Sequence, residues 1–213
     1  MKVTAIVPVY NEEKTIEGVL KVLTASKSID IIIVINGGST DNTPKIIKKF
    51  KVHVINLKHP NGKGGAVRIG AKNLKSDIVL LFDGDLIGLK TEHVDKLIGP
   101  VLNQGASMVI GLRDKGNRFE NMIMPYFPLT GGERAFPGKV FMDIMKYPLV
   151  EGWGLESVMN DYCRKKKLKV VKLMLEGMDH IGLQTKKYGI MAFLKEIYDV
   201  VLTKIKLMRV KYG

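Results

Sequence analysis

The hydrophobic positions of this chain fall into short continuous apolar runs separated by amphipathic stretches. Runs of four to eight β-branched and large apolar residues predict buried strands, and apolar positions three or four residues apart predict helices. Strands are predicted at residues 3–7, 29–35, 51–57, 77–82, 106–111 and 169–173, and helices are predicted to begin near Glu12, Thr43, Gly64, Glu92, Lys139 and Leu155. This alternation predicts an α/β domain with a mixed, mostly parallel sheet that carries helices on both faces.

Polar segments that contain glycine or proline follow the first four predicted strands. They cover residues 8–13, 36–43, 59–66 and 83–85. Because the carboxyl ends of parallel strands meet at one edge of the sheet, where open α/β sheets bind ligands, we expect the four segments to converge on one pocket. Together they offer groups for a base, a sugar, a diphosphate and a metal ion.

The segment Asp83-Gly84-Asp85 is the most informative of the four. Its two carboxylates emerge at a strand end and can turn toward one hard cation. Mg²⁺ or Mn²⁺ carrying a diphosphate takes oxygen ligands of this kind. Taken alone, the triplet is equally well explained as a polar turn after a strand.

The other three segments carry groups suited to a nucleotide. A tyrosine ring offers a planar face, an asparagine amide can read a base edge, glycines permit close backbone approach, and a lysine beside a helix start suits a phosphate. The residues with this chemistry are Tyr10, Asn11, Glu12, Asn36, Gly37, Gly38, Ser39, Lys63 and Gly64. Each segment alone is an ordinary turn, so the prediction depends on their convergence.

The second half of the chain carries fewer such patterns. Residues 111–139 are rich in glycine, proline and aromatic residues, and a stretch of this length without predicted structure is more often functional than accidental. Glu156 stands at a predicted helix start, where a carboxylate either serves catalysis or complements the helix dipole. Trp153 is either a wall for a substrate or a partly buried anchor. An isolated histidine such as His180 is more often structural than a ligand.

Length and composition limit the class of protein. The chain has 213 residues, of which 46% are hydrophobic, and a net charge of +13. We predict one domain over residues 1–188. The charge favours polyanions, anionic membrane surfaces and phosphorylated substrates without choosing among them. Cys163 is the single cysteine, which excludes an internal disulfide and a cysteine-rich zinc site and fits a reducing compartment. Since no apolar stretch approaches the roughly 20 residues that span a bilayer, we expect a cytoplasmic protein.

Residues 189–213 predict a basic amphipathic helix. Its apolar stripe, which includes Phe193 and Ile197, recurs at helical spacing, and lysines and an arginine occupy other positions. Three partners suit such a helix: an anionic membrane surface as a peripheral contact, the domain itself, or a second copy of the chain in a homodimer.

Four strings in the first 110 residues, IVPVYNEE, INGGSTDNT, NGKGGAVRIG and LFDGD, resemble in order and spacing the family 2-type glycosyltransferases of GT-A fold. The resemblance implies a nucleotide-sugar donor and a divalent metal, Mg²⁺ or Mn²⁺. The later strings PLTGGERAF, YPLVEGWGLES and GMDH look closest to the glucosyl-3-phosphoglycerate synthase branch of this fold. The resemblance implies that Asp83 and Asp85 form the diacidic metal motif and that His180 is the third protein ligand.

The same resemblance implies roles for further residues. Pro8, Tyr10 and Glu12 would hold the base and ribose, and Lys63 would lie near the base or phosphates. Glu156 would lie beside the reacting centre. The implied acceptor residues are Gly131, Gly132, Glu133, Arg134 and Trp153. One departure concerns Asn36-Gly37, where the family usually has two aspartates, one of which helps to recognise uracil; the identity of the donor base is therefore open.

The predicted function is metal-dependent transfer of a hexose from a UDP- or GDP-linked donor to an acceptor, phosphorylated as in phosphoglycerate. Asp85 would hold the metal, and Glu156 would act as base in an inverting reaction or orient substrate in a retaining one. A polyprenyl-phosphate or glycolipid acceptor at a membrane surface is the alternative. A non-catalytic basic nucleotide- or nucleic-acid-binding protein is the alternative from another class. Nucleic acid is not the expected partner, because such a binder would not require the diacidic strand end.

Overall fold

The computed structural model describes residues 1–113, 132–150 and 154–180, together with residues 202, 205, 206 and 210. The strands are β1 (Val3–Val9), β2 (Ile31–Asn36), β3 (His53–Asn56), β4 (Ile78–Leu81), β5 (Leu86–Ile87), β6 (Met108–Arg113), β7 (Arg134–Pro137), β8 (Val170–Leu175) and β9 (Asp179–His180). The helices are α1 (Ile16–Ala25), α2 (Thr43–Ile47), α3 (Gly62–Gly70), α4 (Thr91–Asn103), α5 (Gly138–Met145) and α6 (Leu155–Lys165), with a 3₁₀ turn at Pro148–Val150.

Seven of these strands form one mixed sheet in the order β3-β2-β1-β4-β7-β6-β8. The pairs β1 with β2, β1 with β4, β2 with β3, and β6 with β8 are parallel, whereas β7 runs antiparallel to both of its neighbours. The predicted α/β class and the mixed, mostly parallel sheet are confirmed.

Two hydrophobic clusters cover the two faces of the sheet. Along β1, Ala5 and Val7 belong to one cluster and Ile6 to the other, because successive strand side chains point to opposite faces. Helices α1, α2 and α4 pack in the first cluster, and α3, α5 and α6 in the second. Burial on both faces explains why the strands are continuous apolar runs rather than alternating ones.

Strand β7 was not predicted. It lies within the stretch 111–139 that was interpreted as a loop, and it inserts between β4 and β6. Its four residues begin with a charged one and end with proline, so neither length nor polarity marks a strand. The residue after β7, Gly138, extends the contact with β4, because its N–H donates to Asp77 O at 2.7 Å. The two-residue strands β5 and β9 were also too short to predict.

Of the predicted C-terminal helix, the structure describes residues 202, 205, 206 and 210, and the first three are helical. Val210 packs against the second hydrophobic cluster, and its carbonyl accepts a hydrogen bond from Lys165 Nζ at 2.8 Å. At this residue the tail contacts the domain. Among the described residues, no helix combines the length and the hydrophobicity needed to cross a membrane.

Candidate functional site

The loops that follow β1 and β2 are joined by side-chain to main-chain hydrogen bonds. Asn11 N–H donates to Ser39 Oγ at 3.0 Å, and the Asn11 side-chain oxygen accepts from Thr40 N–H at 2.8 Å. Glu12 N–H donates to Thr43 Oγ1 at 2.8 Å. Asn11 has a φ of 55°, which asparagine tolerates better than most residues. The two predicted segments therefore form one surface at the sheet edge.

The structure adds two acidic residues to this surface that the sequence analysis did not single out. Glu13 N–H donates to Asp41 Oδ2 at 3.1 Å, and the Glu13 carboxylate accepts from Asn42 N–H at 3.0 Å. The hydrogen bonds that Asp41 accepts from Thr43 and Glu13 lower the pKa of its carboxyl group, although its partial burial, the largest single influence, acts in the opposite direction. The polar run 39–43 could have identified Asp41, and the acidic pair 12–13 could have identified Glu13.

Asn36 lies at the end of β2, where its side chain is buried. Its amide NH₂ donates to Asn56 Oδ1 at 2.9 Å, and its oxygen accepts from Ser39 N–H at 3.0 Å. One donor and one lone pair remain beyond these two bonds, since a side-chain amide offers two of each. The role of Asn36 in reading a base stays a prediction.

Glycines let the strand-end segments approach closely. A Cβ on Gly37 would lie 3.3 Å from Val9 O and 3.6 Å from Tyr10 Cβ, and Gly38 has a φ of +83°. A Cβ on Gly84 would lie 2.7 Å from Val9 Cγ1. The diacidic turn therefore packs against the end of β1, as the convergence argument requires. Tyr10 itself is 40% exposed.

Lys63 connects three of the predicted elements. It stands in the first turn of α3, and its Nζ lies 2.5 Å from Asp83 Oδ1 and 2.6 Å from Glu156 Oε1. The three side chains are each 18–19% exposed. Burial alone would lower the pKa of Lys63, but Asp83 and Glu156 together raise it, so the ammonium stays charged. The residues predicted for the phosphates, the metal and the reacting centre thus meet at one ammonium.

Gly132 closes the same cluster from the second half of the chain. A Cβ there would overlap Asp83 Oδ2 and would lie 2.9 Å from Lys63 Nζ. Only a residue without a side chain therefore fits between the end of β4 and the lysine. Gly132 was predicted as an acceptor residue; the structure places it beside the diacidic motif.

Arg134, predicted to contact the acceptor, is fully buried in β7. Its guanidinium donates to Asn160 Oδ1 at 2.7 Å and contacts Met108 Sδ at 3.2 Å. Burial lowers the pKa of Arg134, and the charge of Glu156 is the largest influence that opposes this. Glu133 is fully buried as well. An acceptor contact for either side chain stays a prediction, and Asn160 is a partner that the sequence analysis missed.

Asp85 and His180 come together through the backbone. Leu86, the residue after Asp85, pairs with His180 in the small sheet of β5 and β9. Gly88 and Gly177 both have a φ of +71°, and a Cβ on Gly88 would overlap Gly177 O. Two positions far apart in sequence are therefore held together by main-chain pairing between two glycine turns. The His180 side chain lies outside the described part of the structure.

The carboxylates at the end of β4 are the candidate ligands of a divalent cation. Among the side chains that the structure describes, no group of three histidine, cysteine, aspartate or glutamate residues could hold a metal. Asp83 and Asp85 provide the hard carboxylate oxygens that Mg²⁺ and Mn²⁺ prefer, and the two residues stand together at the end of β4. These residues fit a small oxygen-bound cation.

The remaining predicted residues are placed as follows. Pro8 lies in β1 opposite Ile35, beyond the last pairing of β1 with β4 at Ile6. Gly64 is buried in α3. Gly131 and Trp153 lie outside the described residues.

The sheet order and the strand-end site define a GT-A fold. Residues 4–147 match the family model "Glycosyl transferase family 2", and the chain belongs to this family. This confirms the resemblance carried by the four N-terminal motifs.

Curated relatives include glycosyltransferase AglJ of Haloferax volcanii, 29% identical over 187 residues that cover 78% of this chain and 60% of the relative. The UDP-N-acetylglucosamine–dolichyl-phosphate N-acetylglucosaminyltransferase of Methanococcus voltae is 35% identical over 147 residues, which cover 59% of this chain and 55% of the relative. The chain thus spans less than two thirds of the length of either protein.

Among solved structures, glucosyl-3-phosphoglycerate synthase of Mycobacterium tuberculosis is similar in fold. Its complex with Mn²⁺, UDP and glucosyl-3-phosphoglycerate superposes with a TM-score of 0.78 at 21% identity, covering 99% of this chain and 81% of that one. Its complex with Mg²⁺ and UDP gives a TM-score of 0.78 at 22% identity, with 99% and 80% coverage.

Proposed function

We propose that this chain is a metal-dependent glycosyltransferase that moves a hexose from a UDP- or GDP-linked donor to a phosphorylated acceptor resembling phosphoglycerate. The observation that carries this proposal is the Lys63 ammonium between the Asp83 and Glu156 carboxylates, at 2.5 and 2.6 Å. It joins the phosphate-binding helix start, the diacidic strand end and the carboxylate assigned to the reacting centre.

The joined loops after β1 and β2 form the donor side. Tyr10 is exposed for stacking on the base, and the main chain at Asn11 and Glu12 is fixed by its bonds to Ser39 and Thr43. A surface held in this way is ordered before the ligand arrives, which lowers the entropic cost of binding. Pro8, Asn36, Gly37 and Gly38 complete the donor side in this proposal, with Gly64 and Gly84 beside the phosphates.

Asp83, Asp85 and His180 would hold Mg²⁺ or Mn²⁺ in this proposal, and the bound ion would supply Lewis acidity to the leaving diphosphate. Support comes from the main-chain pairing that places residue 180 opposite Leu86 and from the carboxylate chemistry of the strand end. The similar M. tuberculosis enzyme was crystallised with either ion.

Glu156 forms the acceptor side together with the segment around Gly131, Gly132, Glu133 and Arg134, and with Trp153. Glu156 lies in the first turn of α6, and its carboxylate is held by Lys63. In an inverting reaction it takes the acceptor proton, and in a retaining one it orients the acceptor.

A lipid phosphate is the second candidate acceptor. It is favoured by the M. voltae relative, whose name specifies dolichyl phosphate and whose 35% identity exceeds that of the phosphoglycerate enzyme. The basic segment 189–213 would then form a separate helix that contacts a membrane surface or a second copy of the chain.

A thermal-shift screen tests the donor and the metal. Wild-type protein is heated with UDP- and GDP-sugars, each with Mg²⁺, Mn²⁺ or EDTA, because a ligand that binds the folded state raises its Tm. We expect a rise for one nucleotide class that disappears in EDTA. A flat response to every combination would contradict the proposal.

Transfer assays with 3-phosphoglycerate and with a polyprenyl phosphate then separate the two acceptors. We expect product with one of them, and Glu156→Gln should slow that transfer far more than it weakens donor binding. Equal turnover in wild type and Glu156→Gln would reject the role of Glu156 at the reacting centre.

A further inference from the structure

The Lys63 ammonium lies where a divalent cation would have to approach the Asp83 carboxylate. On one side of the carboxylate its Nζ contacts Oδ1 at 2.5 Å. On the other side Oδ2 packs against Gly132, where even a Cβ would overlap it. A cation that approaches the Oδ1 side of Asp83 therefore meets the ammonium, and like charges at such distances repel strongly in a partly buried site.

We propose that Lys63 is a placeholder cation that makes metal binding depend on the nucleotide, an inference that rests on the proposed function. Without a ligand, the ammonium pairs with both Asp83 and Glu156 and holds the two side chains in position. When the donor binds, its diphosphate gives the ammonium a new anionic partner and releases Asp83 for the metal. Nucleotide and metal then raise each other's affinity, as linkage requires.

The second carboxylate makes this exchange possible. Glu156 Oε1 lies 2.6 Å from Nζ and belongs to α6, whereas Asp83 follows β4. The ammonium can therefore leave Asp83 while it keeps one charged partner. A lysine suits this role because its flexible stem and three rotatable N–H donors can serve successive partners, which a rigid guanidinium does less easily.

The position of Lys63 at the start of α3 explains why a diphosphate would become the new partner of its ammonium. It is the second residue of a nine-residue helix whose first turn contains Gly62, Gly64 and Gly65. Main-chain N–H groups at a helix start favour phosphate. Gly62 and Gly64 present no side chain to an approaching anion. At Gly65, by contrast, the Asn61 side chain fills the place of a Cβ. The diphosphate and Asp83 thus compete for one ammonium.

Calorimetric titration with MnCl₂, without nucleotide and then with saturating UDP, tests the inference. The variants are Lys63→Met and Lys63→Gln; the glutamine keeps an N–H donor for the carboxylates in case the methionine variant does not fold. Lys72→Met is the control, because it removes the same charge from an exposed position just beyond α3.

Wild type and Lys72→Met should bind Mn²⁺ weakly alone and at least about tenfold more tightly with UDP, whereas the Lys63 variants should bind Mn²⁺ alone at least about tenfold more tightly than wild type. Lys63 variants that bind Mn²⁺ alone no better than Lys72→Met would overturn the placeholder role while leaving the metal-dependent function intact. Failure of every protein to bind Mn²⁺ even with UDP would overturn the proposed function and this inference together.

Discussion

The proposed donor side and the proposed acceptor side of the candidate site meet at Lys63, but different interactions build them. On the donor side, the loops after β1 and β2 share several partly exposed hydrogen bonds over separations of 28 to 31 residues. On the acceptor side, Arg134 in β7 has a buried guanidinium, and Gly132 lies in tight contact with Asp83. Many weak bonds tolerate the loss of one; a buried charge and a steric fit do not. The predictions below test this contrast.

Arg134→Met should cause the largest loss of stability. The substitution removes a fully buried guanidinium and leaves Asn160 Oδ1 without the donor at 2.7 Å. Removing one member of a buried charged network costs about 3–5 kcal/mol. Urea denaturation measures this loss. Arg164→Met is the control, since the Arg164 side chain is 71% exposed in its ion pair with Asp161 and should matter by about 1 kcal/mol or less. Equal losses in the two variants would refute the structural role of Arg134.

Gly132→Ala should disable the site while the protein stays folded. The new methyl group would overlap Asp83 Oδ2 and must displace either Asp83 or the main chain just before β7. A displacement of about 1 Å costs roughly 100-fold in rate, and we expect at least about that loss in kcat/KM for sugar transfer. The matched control is Gly99→Ala in α4, where an added Cβ meets nothing within 4 Å and alanine favours the helix. Activity of Gly132→Ala within a factor of about two of this control would be incompatible with the close contact.

Thr43→Val should have a smaller effect, as expected for the donor side. It removes the hydroxyl that accepts the Glu12 N–H at 2.8 Å, a loss of about 1–2 kcal/mol in stability. Neighbouring bonds between the same loops remain, so UDP affinity should fall less than in Gly132→Ala. Thr24→Val is the control, because that hydroxyl bonds back to Leu20 O and Lys21 O within α1. A larger loss of UDP affinity in Thr43→Val than in Gly132→Ala would contradict the view that the donor side tolerates the loss of one bond better than the acceptor side tolerates a steric clash.

His93 should make stability depend weakly on pH. It is buried in α4, its Nδ1 accepts from Lys90 N–H at 3.3 Å, and its Nε2 donates to Glu176 O at 3.1 Å just before β9. Burial lowers the pKa of His93, with smaller contributions from Lys96 and Lys90 in the same direction. The unfolded chain then takes up the proton at higher pH than the folded one. The stabilisation that arises because folded His93 stays neutral is complete above the pKa of histidine in the unfolded chain, about 6.5. It is lost as the pH falls through the lower pKa of His93 in the folded chain.

Thermal unfolding of His93→Gln across pH 5 to 8 measures this effect. The Tm of wild type should fall on acidification more than that of His93→Gln. His59→Gln, at an exposed position, should keep the wild-type profile. Identical profiles of Tm against pH for all three proteins would exclude His93 as the source of the pH-dependent stability.

The donor side could be predicted from the sequence because its elements are local. Strands β1, β2 and β4 are predominantly apolar runs, and each candidate segment closely follows its strand, so topology alone brings the segments together. The largest shift of a boundary on this side is the start of α1, which begins at Ile16 rather than near Glu12. The preceding residues are held by bonds to the neighbouring loop, and a single sequence does not reveal such partners in advance.

The acceptor side could be predicted only in part, for physical reasons. Strand β7 is four residues long and begins with Arg134, and burial of a charged side chain depends on partners such as Asn160 that lie 26 residues away. The resemblance assigned Glu156 to the reacting centre, but its pairing with Lys63 spans 93 residues. Distant partners of this kind follow from the completed fold rather than from any local pattern.

The central claim is that the strand-end carboxylates form a metal-diphosphate site, and calorimetric titration of UDP tests it most directly. Wild type, Asp85→Asn and the surface control Asp143→Asn are each titrated in Mn²⁺ and in EDTA. The account predicts Mn²⁺-dependent UDP binding by wild type and by Asp143→Asn, and its loss in an Asp85→Asn protein that unfolds at a similar temperature. Undiminished Mn²⁺-dependent UDP affinity in Asp85→Asn would contradict it.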